Sequence, residues 1–149
     1  MAMEIAAIAD SISALVVDGL KICDLDEIPE TVDPRQPTIF PNPVNFVSNI
    51  EQVRDSFGGG SVAKQHVTYD LTYRLCYAPV GSGRGLFEIY PDMVAAAYRF
   101  LDAVIAVDVM VGLEDITVAA IPAFGPVPDM AGNNFHGCDI TLHCEEFVN

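Results

Sequence analysis

The chain has 149 residues, of which 51% are hydrophobic, and its formal net charge is −14 because 21 acidic residues outnumber 7 basic ones. A chain of this length can bury enough surface in one core to fold without metal ions or disulfides, and its hydrophobic content excludes disorder by composition. The acidity excludes a protein that grips nucleic-acid phosphates, because such binding depends on Lys and Arg. An acidic protein could still line a passage through which DNA slides.

Apolar residues at three- and four-residue spacing predict an amphipathic helix at the N-terminus, with Gly19 as its C-cap. The stripe consists of Ile5, Ile8, Ile12, Leu15 and Val16. Acidic residues interrupt the apolar run and no basic start precedes it, so we expect neither a secretory signal nor a membrane span. The four scattered cysteines are expected to be free thiols in a reducing compartment.

Five of the ten prolines lie between residues 29 and 43. Proline cannot donate to a strand ladder, so this segment is predicted to be an extended connector or an edge rather than a central strand. Its acidic residues begin like a calcium-binding loop, with Asp24 and Asp26 in a D-x-D pattern. The later ligands and the turn glycine of such a loop are missing, which favours a solvated acidic loop.

The clearest strand runs from 67 to 77, where β-branched and aromatic residues alternate with polar ones. An exposed strand or hairpin arm is predicted before it, from Val44 to Phe57, followed by a Gly-Gly-Gly-Ser loop. After a glycine-rich run at 81–85, a helix is predicted over 91–107. Its apolar residues cover more than half of its circumference, so we expect its own sheet to cover one side and a neighbouring subunit another.

A further strand is predicted from Leu113 to Ile121, then a loop at 124–134, then a last strand from Gly137 to Phe147. This order predicts one α+β domain over 1–149: an antiparallel or mixed β-sheet sandwich with the N-terminal helix and the long helix packed on it. Strand alternation and the helix period predict a shared core. Its members are Tyr69, Leu71, Tyr73, Leu75, Phe100, Leu101, Val104, Ile140 and Leu142.

The sequence offers no convincing catalytic set, so we predict a protein that is not an enzyme and holds no cofactor and no metal. The run Gly81-Ser82-Gly83-Arg84-Gly85 lacks the spacing and the Lys-Ser/Thr of a phosphate loop. Zinc ligands are conceivable among six residues of compatible chemistry: His66, Cys76, His136, Cys138, His143 and Cys144. Strand alternation turns His143 away from Cys144 and places Cys138 and Cys144 in the core.

Taken together, the elements form a recognisable layout across nearly the whole chain. Its parts are the N-terminal helix, the proline-rich entry PTIFP at 37–41, the strand VTYDLTYRLCYA at 67–78, the helix PDMVAAAYRFLDAVIAV at 91–107, the strand EDITVAAIP at 114–122 and the closing strand FHGCDITLHCEEFV at 135–148. This layout resembles the tail-terminator, or tail-completion, proteins of long-tailed bacteriophages. The resemblance rests on layout and length and not on a sharp motif.

The resemblance implies a virion structural protein that is assembled in the bacterial cytoplasm and forms a homohexameric ring at the head-proximal end of the tail. Such a ring ends polymerisation of the tail tube and provides the joint to the head connector. The implied partners are therefore further copies of the chain, the tail-tube protein and the head–tail connector protein, and no membrane.

Two other classes of protein stay open. The nearer class is another ring-forming virion component, namely a tail-tube subunit or a head–tail connector protein. The stretch from Val44 to Lys64 would serve a tube subunit as its stacking hairpin. The second class is a small-ligand binding or enzymatic α+β domain.

The charge gives a further expectation for a ring through which duplex DNA passes. An acidic wall repels phosphates, so the DNA would move through the lumen without specific binding. We expect some carboxylates to face the lumen, the alternative being that they coat the outside. Arg54, Lys64 and Arg84, near the glycine-rich loops, are candidates to contact acidic groups on an axial partner.

Overall fold

A computed structural model describes residues 5–55, 64–81, 85–106 and 115–148 of the chain. Within these ranges the structure has two α-helices, a one-turn 3-10 helix and seven strands. The elements in chain order are α1 (Ile5–Ser13), β1 (Lys21–Ile22), the 3-10 helix (Leu25–Glu27), β2 (Thr38–Pro41), β3 (Val47–Asp55), β4 (Lys64–Pro79), α2 (Leu86–Ile105), β5 (Asp115–Ala120), β6 (Phe124–Pro128) and β7 (Asn134–Val148).

Two long antiparallel strands, β4 and β7, form the middle of the sheet, and short strands continue it on either side. On the outer side of β4, β3 pairs with the N-terminal part and β2 with the C-terminal part. On the outer side of β7, β6 and β5 divide the strand in the same way. The β1–β2 pair is parallel, so the sheet is mixed.

The predicted α+β class is confirmed in its coarse form, since a mixed sheet is accompanied by two helices. All seven described strands join one sheet. The second sheet that a β-sandwich requires is therefore not found among the described residues. The reason is the length of β4 and β7, which lets each strand pair with two successive short neighbours instead of folding over into a second layer.

The main core forms between one face of the sheet and the two helices. Tyr69, Leu71, Tyr73 and Leu75 of β4 are fully buried, and they share a hydrophobic cluster with four alternating residues of β7: Cys138, Ile140, Leu142 and Cys144. Ile8 and Ile12 of α1 and Phe100 and Val104 of α2 belong to the same cluster, with Leu101 partly buried against it. The predicted strand register is therefore confirmed. We call this side of the sheet the helix face.

A second, smaller cluster covers part of the opposite face of the sheet. It contains Cys23, Val32, Phe40, Cys76 and Phe135, all buried. Alternation places Phe40 and Cys76 on the side away from Ile39 and Leu75, so they cannot join the main core. The proline-rich connector supplies Val32 and thereby covers the end of this face.

The segment at 38–41 corrects the prediction that the proline-rich region is no central strand. β2 has β1 on one side and β4 on the other, and all four of its residues are buried. The prolines lie at its ends, so the interior amide groups stay free to pair. The carbonyl groups of Pro37 and Ile39 also accept hydrogen bonds, from the amides of Lys21 and Cys23.

Three other boundaries differ from the predictions. α1 ends at Ser13, so Val16, which was predicted on its apolar stripe, is 96% exposed. α2 begins at Leu86 rather than Pro91, because the additional turn buries Ile89 completely. β6 occupies part of the predicted loop at 124–134, and its pairing with β7 tolerates Pro126 and Pro128 because β6 has its other edge unpaired among the described strands.

Candidate functional site

The long helix α2 carries a second apolar surface beside the one that packs in the core. Phe87 is 97% exposed and Tyr98 65%, and Tyr90 and Ile105 are exposed as well. Together with two half-buried neighbours they recur every three or four residues, which aligns them within roughly 80° of the helix circumference. We call this surface the α2 stripe: Phe87, Tyr90, Val94, Tyr98, Leu101 and Ile105.

The polar residues of α2 occupy the remaining side of the helix. Glu88, Asp92, Arg99 and Asp102 are exposed there. The core side and the α2 stripe thus adjoin each other. Soluble monomers seldom expose a contiguous row of aromatic side chains, and such rows usually mark interaction surfaces. The sequence analysis predicted a helix that is covered on more than one side, and the structure of the single chain leaves the second side uncovered.

A small apolar cavity adjoins the α2 stripe where the helix meets β6. It has a volume of about 130 Å³ and is lined by Tyr90, Met93, Phe124, Gly125, Pro126 and His136. Two of these lining residues, Tyr90 and Phe124, contact each other, with their ring centroids 5.7 Å apart at a tilt of 60°. We call this cavity the socket. Its size and lining suit one apolar side chain, because apolar cavities of roughly 150 Å³ accept a benzene ring.

The sheet face opposite the helices carries charged pairs between β4 and β7. Arg74 donates two hydrogen bonds to Asp139, from Nε to Oδ1 at 2.7 Å and from Nη2 to Oδ2 at 3.0 Å. These hydrogen bonds raise the pKa of the Arg74 guanidinium. His143 Nδ1 and Asp70 Oδ1 are 2.7 Å apart, and His66 and Glu145 are 3.6 Å apart. We call this side the polar face.

The carboxylates and histidines of the polar face pair with one another and lie apart from the buried cysteines. Each of its carboxylates named above is engaged by a cationic or imidazole partner across the strands. Its histidines stay apart from the cysteines that the sequence analysis considered with them. Cys138 and Cys144 lie in the helix-face core, and Cys76 lies in the smaller cluster.

The four cysteines are free and buried. Burial raises the pKa of the Cys76, Cys138 and Cys144 thiols to about 12, and it raises the pKa of Cys23 as well. Thiolate is the reactive form, so these side chains act as small hydrophobic residues in the folded protein and not as nucleophiles.

The acidic loop brings three carboxylates together. Asp24, Asp26 and Glu27 each offer an oxygen, and these oxygens lie within 4.8 Å of one another. Asp24 also accepts a hydrogen bond from the amide of Leu25 at 2.7 Å, which makes it the N-cap of the 3-10 helix. The loop is exposed around Asp26 and Glu27, as expected for a solvated acidic turn.

One buried carboxylate holds the connector against the β6–β7 turn. Asp129 accepts hydrogen bonds from the amides of Val32, Ala131 and Asn133 and from the Asn133 side chain, at 2.9–3.1 Å. Burial by itself raises the pKa of this carboxyl, but the hydrogen bonds from Asn133, Val32 and Ala131 outweigh it, and the pKa lies below its ordinary value. Asp129 is therefore a structural carboxylate.

The structure places only part of the predicted partner-contact set. Arg54 lies near the end of β3 and Lys64 begins β4, where Arg54 pairs with Gln65 and Asp55 with Lys64. The backbone thus brings Arg54 and Lys64 to the same end of one hairpin. Arg84 and the Gly-Gly-Gly-Ser segment lie outside the described residues.

Sequence reasoning missed the socket, because it assigned Phe124 and Pro126 to a loop. The segment FGPVP carries no sequence signal for a strand, because its glycine and two prolines are typical of a loop. Among the described residues, no helix is long and apolar enough to cross a membrane. Neither a protein-family model nor a curated protein matches the chain.

Proposed function

We propose that the chain is the subunit of a homohexameric ring that caps the head-proximal end of a phage tail tube, as a tail-terminator protein does. The α2 stripe carries this proposal. The four exposed members of the stripe, Phe87, Tyr90, Tyr98 and Ile105, present roughly 500 Å² of largely apolar surface, which is more than half of the ~800 Å² that each partner buries in a standard interface.

The arrangement of layers supports a ring subunit. In the proposed ring the two helices form one layer on the helix face of the sheet, and α2 presents its stripe to the next copy. The two ends of the sheet are then left for axial partners, the tail-tube protein on one side and the head connector on the other. Arg54, Lys64 and Arg84 remain the candidates for the axial contact.

The charge supports a channel that does not retain DNA. Six copies at −14 each give the ring a formal charge of −84. A wall of that sign repels the phosphates of a duplex and makes binding weak at moderate ionic strength. We therefore expect the purified ring to show no salt-sensitive retention of duplex DNA, and tight retention would contradict an acidic lumen.

The proposal is tested by the mass of the purified protein in solution, from native mass spectrometry and light scattering, together with electron microscopy of the particles. A closed six-fold ring that shortens tubes when it is added to polymerising tail-tube protein is the expected result. The double variant F87D/Y98D is expected to be a folded monomer. The matched control is A95D, on the exposed polar side of the same helix, which is expected to keep the ring.

A tail-tube subunit is the second candidate, and the hairpin of β3 and β4 favours it. Val47–Asp55 of β3 pairs with residues 64–71 of β4, which gives the antiparallel arm that stacking would use. The same measurements separate the candidates, because a tube subunit forms open polymers whose mass grows with concentration. A protein that stays a monomer at high concentration would contradict both.

A further inference from the structure

An irregularity in β3 holds an apolar side chain out into solvent. The register with β4 shifts between Ser48 and Glu51, which leaves Asn49 and Ile50 as a bulge. Asn49 has a φ of +54°, a left-handed conformation that is uncommon outside glycine, and Ile50 is 59% exposed. Bulges of this kind re-aim side chains at sheet edges.

The bulge is fixed by a hydrogen-bonded chain across three strands. The Asn49 side-chain amide donates to Asp70 Oδ2 at 2.7 Å, and the other oxygen of Asp70 is 2.7 Å from His143 Nδ1. A strained backbone conformation persists only where its surroundings determine it, and such positions are common at binding sites. The position of Ile50 is thus set by β4 and β7.

Ile50 and the socket lie at opposite edges of the sheet. β3 lies on the outer side of β4, whereas β6 and α2 border the outer side of β7. A ring of identical subunits needs two different surfaces at opposite sides of each copy, since every contact in it is heterologous. Ile50 and the socket satisfy that requirement.

The size of the socket also fits the side chain of Ile50. The socket, at about 130 Å³, has room for one branched aliphatic side chain.

We propose that Ile50 of one subunit inserts into the socket between α2 and β6 of the next subunit, and that the α2 stripe packs around this contact. This inference rests on the proposed ring. It adds the surface on the other side of each contact, which the α2 stripe alone does not supply. In this arrangement the bulge positions Ile50 for the contact between subunits.

Cysteine cross-linking tests the contact. The double variant I50C/P126C, oxidised and separated on a non-reducing gel, is expected to give a ladder of covalent species up to the ring number. Neither single variant is expected to give one, because the two positions meet only between different copies. The natural cysteines are buried and do not interfere. The pair I50C/A95C is the matched control and is expected to stay uncross-linked, because Ala95 is exposed on the polar side of α2.

A dilution series supplies an independent readout that needs no cysteine. I50S is expected to raise the protein concentration at which half of the rings dissociate by about tenfold or more, since it removes a buried aliphatic side chain from each contact. V44S is the control, because Val44 is exposed outside the bulge, and its half-dissociation concentration is expected to stay within about twofold. Thermal unfolding of the dissociated I50S protein should match the parent.

The outcomes separate the two proposals. If the parent protein forms no ring, the proposed function fails and this contact fails with it. If rings form but I50C/P126C gives no ladder, or I50C/A95C gives the same ladder, the ring stands and the Ile50 contact is overturned. Dimers from P126C alone would indicate a two-fold contact and would also overturn it.

Discussion

On the helix face, β4 and β7 bury an uninterrupted row of apolar side chains, whereas on the polar face the same strands carry charged pairs, Arg74 with Asp139 and Asp70 with His143. The two faces carry alternate residues of the same two strands, so they share one backbone. They differ in how much their side chains contribute to the free energy of unfolding. The helix face excludes water over many contacts, and the polar face contributes local pairs that water screens.

The helix face should show the largest single effect. Phe100 is fully buried and its ring lies 5.9 Å from that of Tyr73. We expect F100A to lower the free energy of unfolding by about 3–5 kcal/mol, because it removes the ring and leaves a cavity. Urea denaturation of the dissociated protein measures this change. D102A, on the exposed side of the same helix, should change it by less than about 0.5 kcal/mol.

The alternation of β4 and β7 explains how much of the fold the sequence predicts. A two-residue period over Tyr69, Leu71 and Tyr73 is a local signal, and it correctly assigns the strands and their buried face. The position of β2 between β1 and β4 depends instead on partners distant in the chain. Proline content cannot reveal that the prolines fall at the ends of the strand.

The candidate site is less predictable for the same reason. The excess of apolar residues on α2 is visible in the sequence, so a second covered side of the helix is an expectation from local pattern. The socket requires β6 to pair with β7 and to bring Phe124 against Tyr90. The bulge at Asn49 is a product of register, and the sequence gives only a weak signal for it, since asparagine adopts the left-handed conformation more readily than most residues.

The second largest loss of stability is expected at Asp129, where the proline-rich connector meets the β6–β7 turn. Asp129 holds Val32 and the β6–β7 turn through four hydrogen bonds. D129N replaces one acceptor oxygen by a donor, and we expect it to lower the free energy of unfolding by roughly 2–3 kcal/mol at pH 7. A loss below about 0.5 kcal/mol would show that the connector does not depend on this carboxylate.

Acid should remove the advantage of the parent over D129N. The pKa of Asp129 is lower in the folded protein than its ordinary value, so the carboxylate stabilises the fold fully above the ordinary value. That contribution is lost as the pH falls through the folded pKa. Urea midpoints of the parent and D129N should therefore converge below about pH 4. A difference that grows on acidification would contradict this assignment.

Two buried tyrosines of β4 differ in whether their hydroxyl groups are hydrogen-bonded. Tyr69 donates a hydrogen bond to buried Glu146 at 2.7 Å, whereas the Tyr73 hydroxyl is buried and has no hydrogen-bond partner in the described part of the chain. We expect Y69F to lower the free energy of unfolding by about 1–2 kcal/mol, because Glu146 loses a donor. Y73F should leave it unchanged or raise it slightly, because it removes a buried polar group whose hydrogen bond is unmade.

The tyrosine pair also has a spectroscopic check. Burial, and for Tyr69 the hydrogen bond to Glu146, raises the pKa of both hydroxyls above the ordinary value, so neither should ionise while the protein is folded. Alkaline titration followed by tyrosinate absorbance should show these two groups appearing only with unfolding. Equal losses of stability in Y69F and Y73F would show that the hydrogen bond to Glu146 contributes nothing specific.

The smallest effect is expected on the polar face, where the Arg74–Asp139 pair is partly exposed, with side chains 18% and 34% accessible. A double-mutant cycle of R74A and D139A should give a coupling energy of roughly 0.2–1 kcal/mol, at the upper end because the contact is bidentate. Raising the salt concentration from 0.05 M to 1 M should reduce it, since the pair is reached by solvent. A coupling above about 3 kcal/mol that ignores salt would mean that water is excluded from this face, as a neighbouring subunit would do. The cycle repeated on the assembled ring therefore distinguishes an open polar face from one that is covered on assembly.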